Sequence, residues 1–520
     1  MSVETEVEED AEMQSRVRRG ALWGGLSSLV LRFANIAITA VIVRIVSPHD
    51  FGVFAAALTV YAVVSNISEL GVASVLTRRD TDADAIAPTV ATIAMFSCSA
   101  IAAGMFFGAP WLASALGAPD ASSSIRVLSL TVVLVGVFTV PGAMLAREFR
   151  QNVIFKASII SFVPSNALLI LLALHGDGAL SFAWSRVVGQ LIMGIVMVIY
   201  VSKRYRFGFD RSQVRMVLTF GLPLAGANLV GYTLLNADYA FVGHLLGPIA
   251  LAAYVLAFNV ANWSSALLGS MVNSVAMPAF SRFAGDIRRM SSAMSSAHRL
   301  IAVVAWPVCA ITIASAHPLI EVLYGRKWLA AAPVLALLAV YGAMFIHSLV
   351  FANLLGGSGH TTALLIVQVI WIAALIPAMA LGIHLDGLRG VAIAHVLVIA
   401  IVVLPTYMIA TRRILGIKSI AAVRVVVPFV FAAAGAYLVD RAVTSVLHQP
   451  VLQLLVGAAA GGVAYILLTA IELHSLVGGM GGGSIGKRIL RVLEVAAVPR
   501  ALLRPAPSTG RHSISRLETK

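Results

Sequence analysis

Apolar runs of about twenty residues recur from one end of this chain to the other, and they restrict its fold more than any other feature. Ala21–Val46 and Ala87–Phe107 are two examples. Each matches the roughly 20 residues that an α-helix needs to cross the hydrocarbon core of a bilayer. Fourteen such spans can be drawn, at about 21–46, 51–72, 87–107, 124–146, 155–174, 180–201, 216–240, 249–276, 297–316, 331–355, 362–381, 390–410, 423–440 and 451–472. Short turns such as Ser47-Pro48-His49-Asp50 separate many of them. Most carry a Gly, Pro, Ser or Asn, as packed membrane helices do. Hydrophobic residues make up 59% of the 520 and charged residues 12%, against about 25% charged in a soluble domain. The expectation is an all-α polytopic membrane protein with little soluble mass.

In a soluble protein the formal net charge of +14 would point toward nucleic acid. Here the basic residues lie between the apolar runs, where topology accounts for them. With the amino terminus inside, inner segments hold 29 of the 37 Lys and Arg; outer segments hold four, namely Arg326, Lys327, Arg389 and Arg441. Cytoplasmic loops carry such an excess as a rule. The bias predicts cytoplasmic termini, an even number of spans and no nucleic-acid partner. Cys98 and Cys309 both fall inside apolar spans, which excludes an extracellular disulfide framework and zinc spacing. No cleavable signal is expected, because Glu4–Glu12 is acidic and the first apolar run is long. The segment 478–520 opens with glycines and ends basic and polar, which reads as a disordered tail that touches anionic lipid.

An internal repeat organises the spans. Ser47-Pro48…Gly52–Val60 aligns without gaps with Gly247-Pro248…Ala252–Val260, 200 residues later. Pro110-Trp111-Leu112…Leu116-Gly117 resembles Pro318-Leu319-Ile320…Tyr324-Gly325, and Gly178–Ala183 resembles the stretch from Gly390, at offsets of 208 and 212. Spans one to six and seven to twelve are therefore read as related halves. Six spans separate the copies, so both keep one orientation, as parallel repeats about an axis along the membrane normal. The predicted division is a tail over 1–20, an N-lobe over 21–201, a linker over 202–215, a C-lobe over 216–410, two extra spans within 423–472 and the tail over 478–520.

Two pseudo-symmetric six-helix lobes leave a cleft near the midplane, the usual place for a transported substrate. Ser28, Arg32, Asn35 and Thr39 are spaced 4, 3 and 4 apart and so share one helical face. Arg32 sits near the middle of its span, where a charge costs roughly 2.5–3.5 kcal/mol; a polar cavity or a structural pair with Glu69 or Asp238 would explain it. Arg44, Arg126 and Arg186 lie within spans or near their outer ends, where they either snorkel to the interface or line the cleft. Span seven adds Asn228, Asn236 and Asp238, and span eight adds Asn259, Asn262 and Asn273; such amides either join helices or line a cavity. His347 and His395 are read as packed contacts, with proton relay as the alternative. The intramembrane inventory is cationic and rich in amides. It suits an anionic, sugar-bearing substrate, since guanidinium binds phosphate bidentately at every relevant pH.

Arg19-Gly20-Ala21-Leu22-Trp23, Val46–Gly52 and Glu69–Ala73 resemble the opening of polysaccharide-exporting flippases of the multidrug/oligosaccharidyl-lipid/polysaccharide superfamily. Leu145–Arg150, Tyr324–Trp328 and Gly387–Ala394 are similar to later blocks, and together the match spans about residues 15–415. The resemblance implies two six-helix lobes with two extra helices in a bacterial plasma membrane. It implies alternating access that carries an undecaprenyl-diphosphate-linked oligosaccharide outward, with cavity arginines on the diphosphate. That role falls first on Arg32, then on Arg44, Arg126 and Arg186, with Asn35, Asn236, Asp238, Asn259 and Asn262 beside them as substrate-binding residues. Membrane lipids, a polysaccharide polymerase and glycosyltransferases are the implied partners. No catalytic residue, cofactor or metal is expected. Three rivals stand: a drug or cation antiporter, for which membrane carboxylates are few; a membrane glycosyltransferase, polymerase or ligase, for which the outer loops are short and acid-poor; and a non-transporting scaffold for envelope glycan assembly.

Overall fold

The computed structural model describes residues 30–68, 73–77, 82–203, 206–283, 286–417, 419–470 and 472, and these are almost entirely helical. Helix α1 occupies residues 30–45. It is followed by α2 (Pro48–Ser68), α3 (Ala73–Leu76), α4 (Ala83–Phe107), α5 (Ala109–Ala115), α6 (Ser122–Arg147), α7 (Gln151–His175) and α8 (Ala179–Tyr200). Then come α9 (Arg211–Arg282), α10 (Ile287–Ala314), α11 (Ala316–Tyr324), α12 (Ala332–Gly357), α13 (Thr361–Val398), α14 (Leu404–Leu415), α15 (Ile420–Val446) and α16 (Pro450–Leu468). Among the described residues eleven segments are long and apolar enough to cross a membrane.

Two of the long helices are each two spans joined by a break. In α9 the break is Gly247, at φ 79° and ψ 179°, a conformation that glycine adopts without the steric cost of a Cβ. In α13 it is Asp386-Gly387, with Gly387 at φ 51°. Over their described residues all fourteen predicted spans fall on helix, with ends shifted by a few residues. The polar residues between spans start the helices. Ser47 Oγ accepts the Asp50 N–H at 3.1 Å and donates to its carboxylate at 2.6 Å, a reciprocal cap of the kind that satisfies orphan amides. Asp82 caps α4 and Asp286 caps α10 in the same sense. Asp210 precedes α9 and accepts the Ser212 amide at 2.9 Å and its hydroxyl at 2.7 Å. Those two bonds hold the Asp210 carboxyl below its ordinary range.

The chain divides into two compact units. Unit 1 holds residues 1–260, 320–338 and 371–398, so three segments of the second half pack with the first. Its centre is α6, which packs on α2, α4 and α8. Close approach there depends on small residues: a Cβ on Gly136 would strike Cys98, and one on Gly194 would strike the ring of Phe138. Lipid offers no hydrophobic drive between helices, so such van der Waals fit carries the packing. Cys98 is accordingly a buried packing residue.

Unit 2 holds residues 261–319, 339–370 and 399–520. Here α15 and α16 pack on α10 around Ala302, Phe429, Ala436 and Tyr465, whose hydroxyl donates to the Ala302 carbonyl at 3.0 Å. Asp440 is fully buried in this bundle and accepts Ser315 Oγ at 3.3 Å. Gly457 and Gly461 of α16 leave the space that its carboxylate fills.

Candidate functional site

The end of unit 1 that carries the loop after α1, the loop after α5 and the break in α9 is closed by contacts between the two copies of the repeat. Arg44, at the end of α1, donates from Nε to the Leu323 carbonyl at 3.2 Å and from its terminal nitrogen to the Val322 carbonyl. Those are last-turn carbonyls of α11, which lack helical partners and attract a cation. Lys327 Nζ donates to the Arg44 and Val46 carbonyls at 3.0 and 2.6 Å. Trp328 is 1% exposed, donates to the Val43 carbonyl at 3.0 Å and meets Phe51 edge-on.

The mirror contacts come from the second copy. His244 Nδ1 lies 2.9 Å from the Ala115 carbonyl, and Gly117 abuts the Gly243 carbonyl. Arg44 and His244 are equivalent at an offset of 200, Leu323 and Ala115 at 208. The same latch is therefore built twice. Between the latches Gly52 lies against the Pro248 carbonyl so closely that no Cβ fits.

The structure separates the four intramembrane arginines. Arg44 belongs to the latch just described. Arg126, on α6, holds its guanidinium 5.7 Å from the Phe106 ring centroid, and Arg186, on α8, lies 4.9 Å from that of Tyr61. Both are exposed side chains on an aromatic face, an arrangement that steadies a cation and leaves its N–H edges available. Arg32 differs from all three. It is half-buried in α1 and makes no hydrogen bond or ion pair with a described residue. Asn35 is exposed and its amide donates to Leu31 of its own helix at 2.8 Å. Ser28 and Glu69 lie outside the described residues.

Asp238 is not Arg32's partner. It is 4% exposed, accepts the Tyr254 hydroxyl at 2.9 Å and the Tyr239 amide at 2.9 Å. The same hydroxyl lies 3.0 Å from His395 Nε2, which is itself 3.9 Å from the Asp238 carboxylate. A phenol with one proton and two lone pairs can bridge these groups in either polarity, so the knot stays connected whether the proton rests on the carboxylate or on the imidazole. Asn236 is half-buried two residues before Asp238, and Asn259 is exposed on the α9 segment that carries Tyr254. A cavity of about 460 Å³ also lies within unit 1, between α3, α6 and α8, with Ser74, Thr77, Thr139 and Gln190 as its polar lining. Among the described residues no arginine lines it.

In unit 2, Asn262 is half-buried, and Asn273 accepts the Asn353 amide at 2.7 Å, a bond between two helices. The side chain of Asn228 lies outside the described residues. His347, read from sequence as a lone contact, is paired: its Nδ1 lies 2.9 Å from His298 Nδ1, and Trp306 Nε1 donates to its Nε2 at 3.2 Å. Sequence reasoning passed over Tyr254, His298, Trp306 and Asn353. The signal was weak, because each is a single polar atom inside an apolar helix and becomes informative only beside its partner.

A family model described as polysaccharide biosynthesis protein matches residues 41–333, more than half of the chain. The succinoglycan biosynthesis transport protein ExoT of Rhizobium meliloti (strain 1021) is 28% identical over 486 residues, which cover 89% of this chain and 94% of that protein. The lipopolysaccharide biosynthesis protein WzxC of Escherichia coli (strain K12) is 21% identical over 406 residues, covering 78% and 82%. Among solved structures, the lipid II flippase MurJ in an inward closed conformation matches with a TM-score of 0.70 at 13% identity, covering 88% of this chain and all of that one. The last likeness concerns the fold.

Proposed function

The chain belongs to the polysaccharide biosynthesis protein family, and from that premise we propose that it is a flippase for surface polysaccharide assembly. Its substrate is a polyprenyl-diphosphate-linked oligosaccharide, carried from the inner to the outer leaflet of the bacterial plasma membrane. Two relatives named for succinoglycan transport and lipopolysaccharide biosynthesis support the reading. The observation that carries it is Arg32, a half-buried guanidinium in a membrane helix without a partner among the described residues. A charge in that position is costly unless something answers it, and a diphosphate does so with two or more charge-assisted bonds.

Arg126 and Arg186 supply further N–H edges from their aromatic seats, and Asn35, Asn236 and Asn259 meet sugar hydroxyls. Asp238 acts through the Tyr254–His395 knot. Arg44 holds the latch. The polyprenyl tail stays in lipid, no bond is made or broken, and residues 21–201 and 216–410 rock as two lobes. With cytoplasmic termini, as the distribution of basic residues indicates, the doubled latch closes the outer end. A polymerase and glycosyltransferases are the partners that receive and supply such a substrate.

The test is flipping of a fluorescent polyprenyl-diphosphate saccharide in proteoliposomes. Arg32→Ala is expected to lower the rate at least about tenfold, the effect of one lost charge-assisted bond, while Arg32→Lys keeps part of it. If the wild type moves no such lipid under any gradient and exchanges a soluble cation instead, the antiporter reading replaces this one.

A further inference from the structure

The pair His298–His347 in unit 2 has no role in the reading above. His298 is the twelfth residue of the 28-residue α10 and His347 the sixteenth of the 26-residue α12, so both lie at mid-helix depth. They are 2% and 5% exposed, with rings 5.1 Å apart. Hydrogen-bond directions fix their protons. Indole N–H only donates, so His347 Nε2 must accept from Trp306 at 3.2 Å. The proton of neutral His347 then sits on Nδ1 and donates to His298 Nδ1 at 2.9 Å. That leaves the proton of His298 on Nε2, an atom that is buried and without a hydrogen-bond partner among the described residues. Three donors thus point one way, from Trp306 through His347 to His298, and the line ends on an N–H that no described residue receives.

We propose that this pair is a proton-binding site of the transport cycle, with the proton as the coupling ion and Trp306 as the group it displaces. A proton from water adds to the lone pair of His347 Nε2. The Trp306 hydrogen bond breaks, because two N–H groups cannot face each other, and the pair gains one positive charge. The Nδ1–Nδ1 hydrogen bond persists and shares that charge between two rings. Release runs back through the same atom: water takes the proton from His347 Nε2, the freed lone pair accepts the Trp306 indole again, and both rings return to their starting tautomers.

The surroundings leave the proton to these two rings. On α10 the adjacent charge is Arg299, half-buried. Phe351 of α12 lies 4.8 Å from the His298 ring, and Tyr407 of α14 stacks on Phe351 at 6.1 Å. From α15 and α16 the titratable groups are Asp440, bonded to Ser315, and Tyr465, bonded to the Ala302 carbonyl. Among the described residues no carboxylate pairs with either imidazole.

The coupling rests on the chain being a transporter; the binding does not, and the experiment separates the two. Full-length protein carrying ¹⁵N-labelled His and Trp is titrated in lipid from pH 8 to pH 5. The Trp306 indole resonance, assigned with Trp306→Phe, is expected to move as His347 gains its second proton and to stay fixed in His347→Gln. In Trp306→Phe no indole competes with the proton, so an about three- to tenfold lower proton concentration suffices. An indole that does not move, or moves equally in His347→Gln, overturns the proposal, as does a Phe variant that binds protons no more readily. In proteoliposomes, flipping driven by an imposed pH gradient is expected to vanish in His298→Gln and His347→Gln. Flipping that ignores the gradient overturns the coupling and spares the flippase; absence of flipping removes the flippase, and the titration still decides the site.

Discussion

At the helix ends the two copies of the repeat do the same thing with different residues, and in the membrane interior they do different things at the same positions. Arg44 and His244 each reach the carbonyl of an equivalent residue, Leu323 and Ala115. A carbonyl only accepts, so guanidinium and imidazole Nδ1–H serve alike. Deeper in, Asp238, Tyr254 and His395 correspond to Ile38, Phe54 and Ala183, and where the second copy has its polar knot the first has Phe54 stacked on Phe182 at 4.6 Å. His298 and Trp306 correspond to Val90 and Cys98, both fully buried. Backbone carbonyls at a helix end need donors whatever the sequence, so the latch is kept in both copies. Buried polar groups in lipid are expensive and remain only where they are used. The first copy is scaffold and cation; the second holds the titratable groups.

The largest effects should come where the latch is unequal. Trp328 corresponds to Asp120, an exposed residue 3.5 Å from His49. Trp328→Ala should cost about 3–5 kcal/mol, read as thermal unfolding in detergent, whereas Asp120→Ala should fall within about 0.5 kcal/mol. Equal costs would mean that the latch is not anchored on the tryptophan. Next is Gly52, whose counterpart Ala252 is fully buried and already carries a Cβ. Gly52→Ala should destabilise by about 1–3 kcal/mol, since the Pro248 backbone must shift to admit a methyl group. A silent substitution would show that the two turns are not in contact in solution.

The interior difference can be erased one residue at a time. Tyr254→Phe gives the second copy the ring of the first and leaves the buried Asp238 short of a donor, at about 1–3 kcal/mol. Adding Asp238→Leu removes the stranded acceptor as well, so the double variant should recover part of that loss. Unfolding of both variants measures it, and a double variant worse than the single would mean that Asp238 has a second essential partner.

How much of this was legible beforehand follows from periodicity. Spans such as 87–107 and 155–174 are continuous apolar runs and give themselves away, and the match of Ser47–Val60 with Gly247–Val260 exposed the halves. Arg32 was found because charge in an apolar run is conspicuous. The break at Gly247 was legible too, because Gly247-Pro248 matches the turn at Ser47-Pro48 and lies between the spans 216–240 and 249–276. The latches were not, because their acceptors are backbone carbonyls, and every residue has one. The knot and the histidine pair join helices 141 and 49 residues apart in sequence, a separation at which a single sequence carries no register.

The smallest effect bears most directly on whether the two copies form one closure. Arg44→Ala and His244→Ala each remove the donor from helix-end carbonyls, so each should cost no more than about 1 kcal/mol. If the latches act separately, the double variant should lose the sum. If they close one end together, opening either exposes the other to water before the second substitution is made, and the double variant should lose less than the sum by at least about 0.5 kcal/mol. Thermal unfolding of the wild type, both single variants and the double measures that coupling. Strict additivity would mean that the repeat preserved two independent helix caps, and that the resemblance between the ends of the copies is local chemistry with no shared closure behind it.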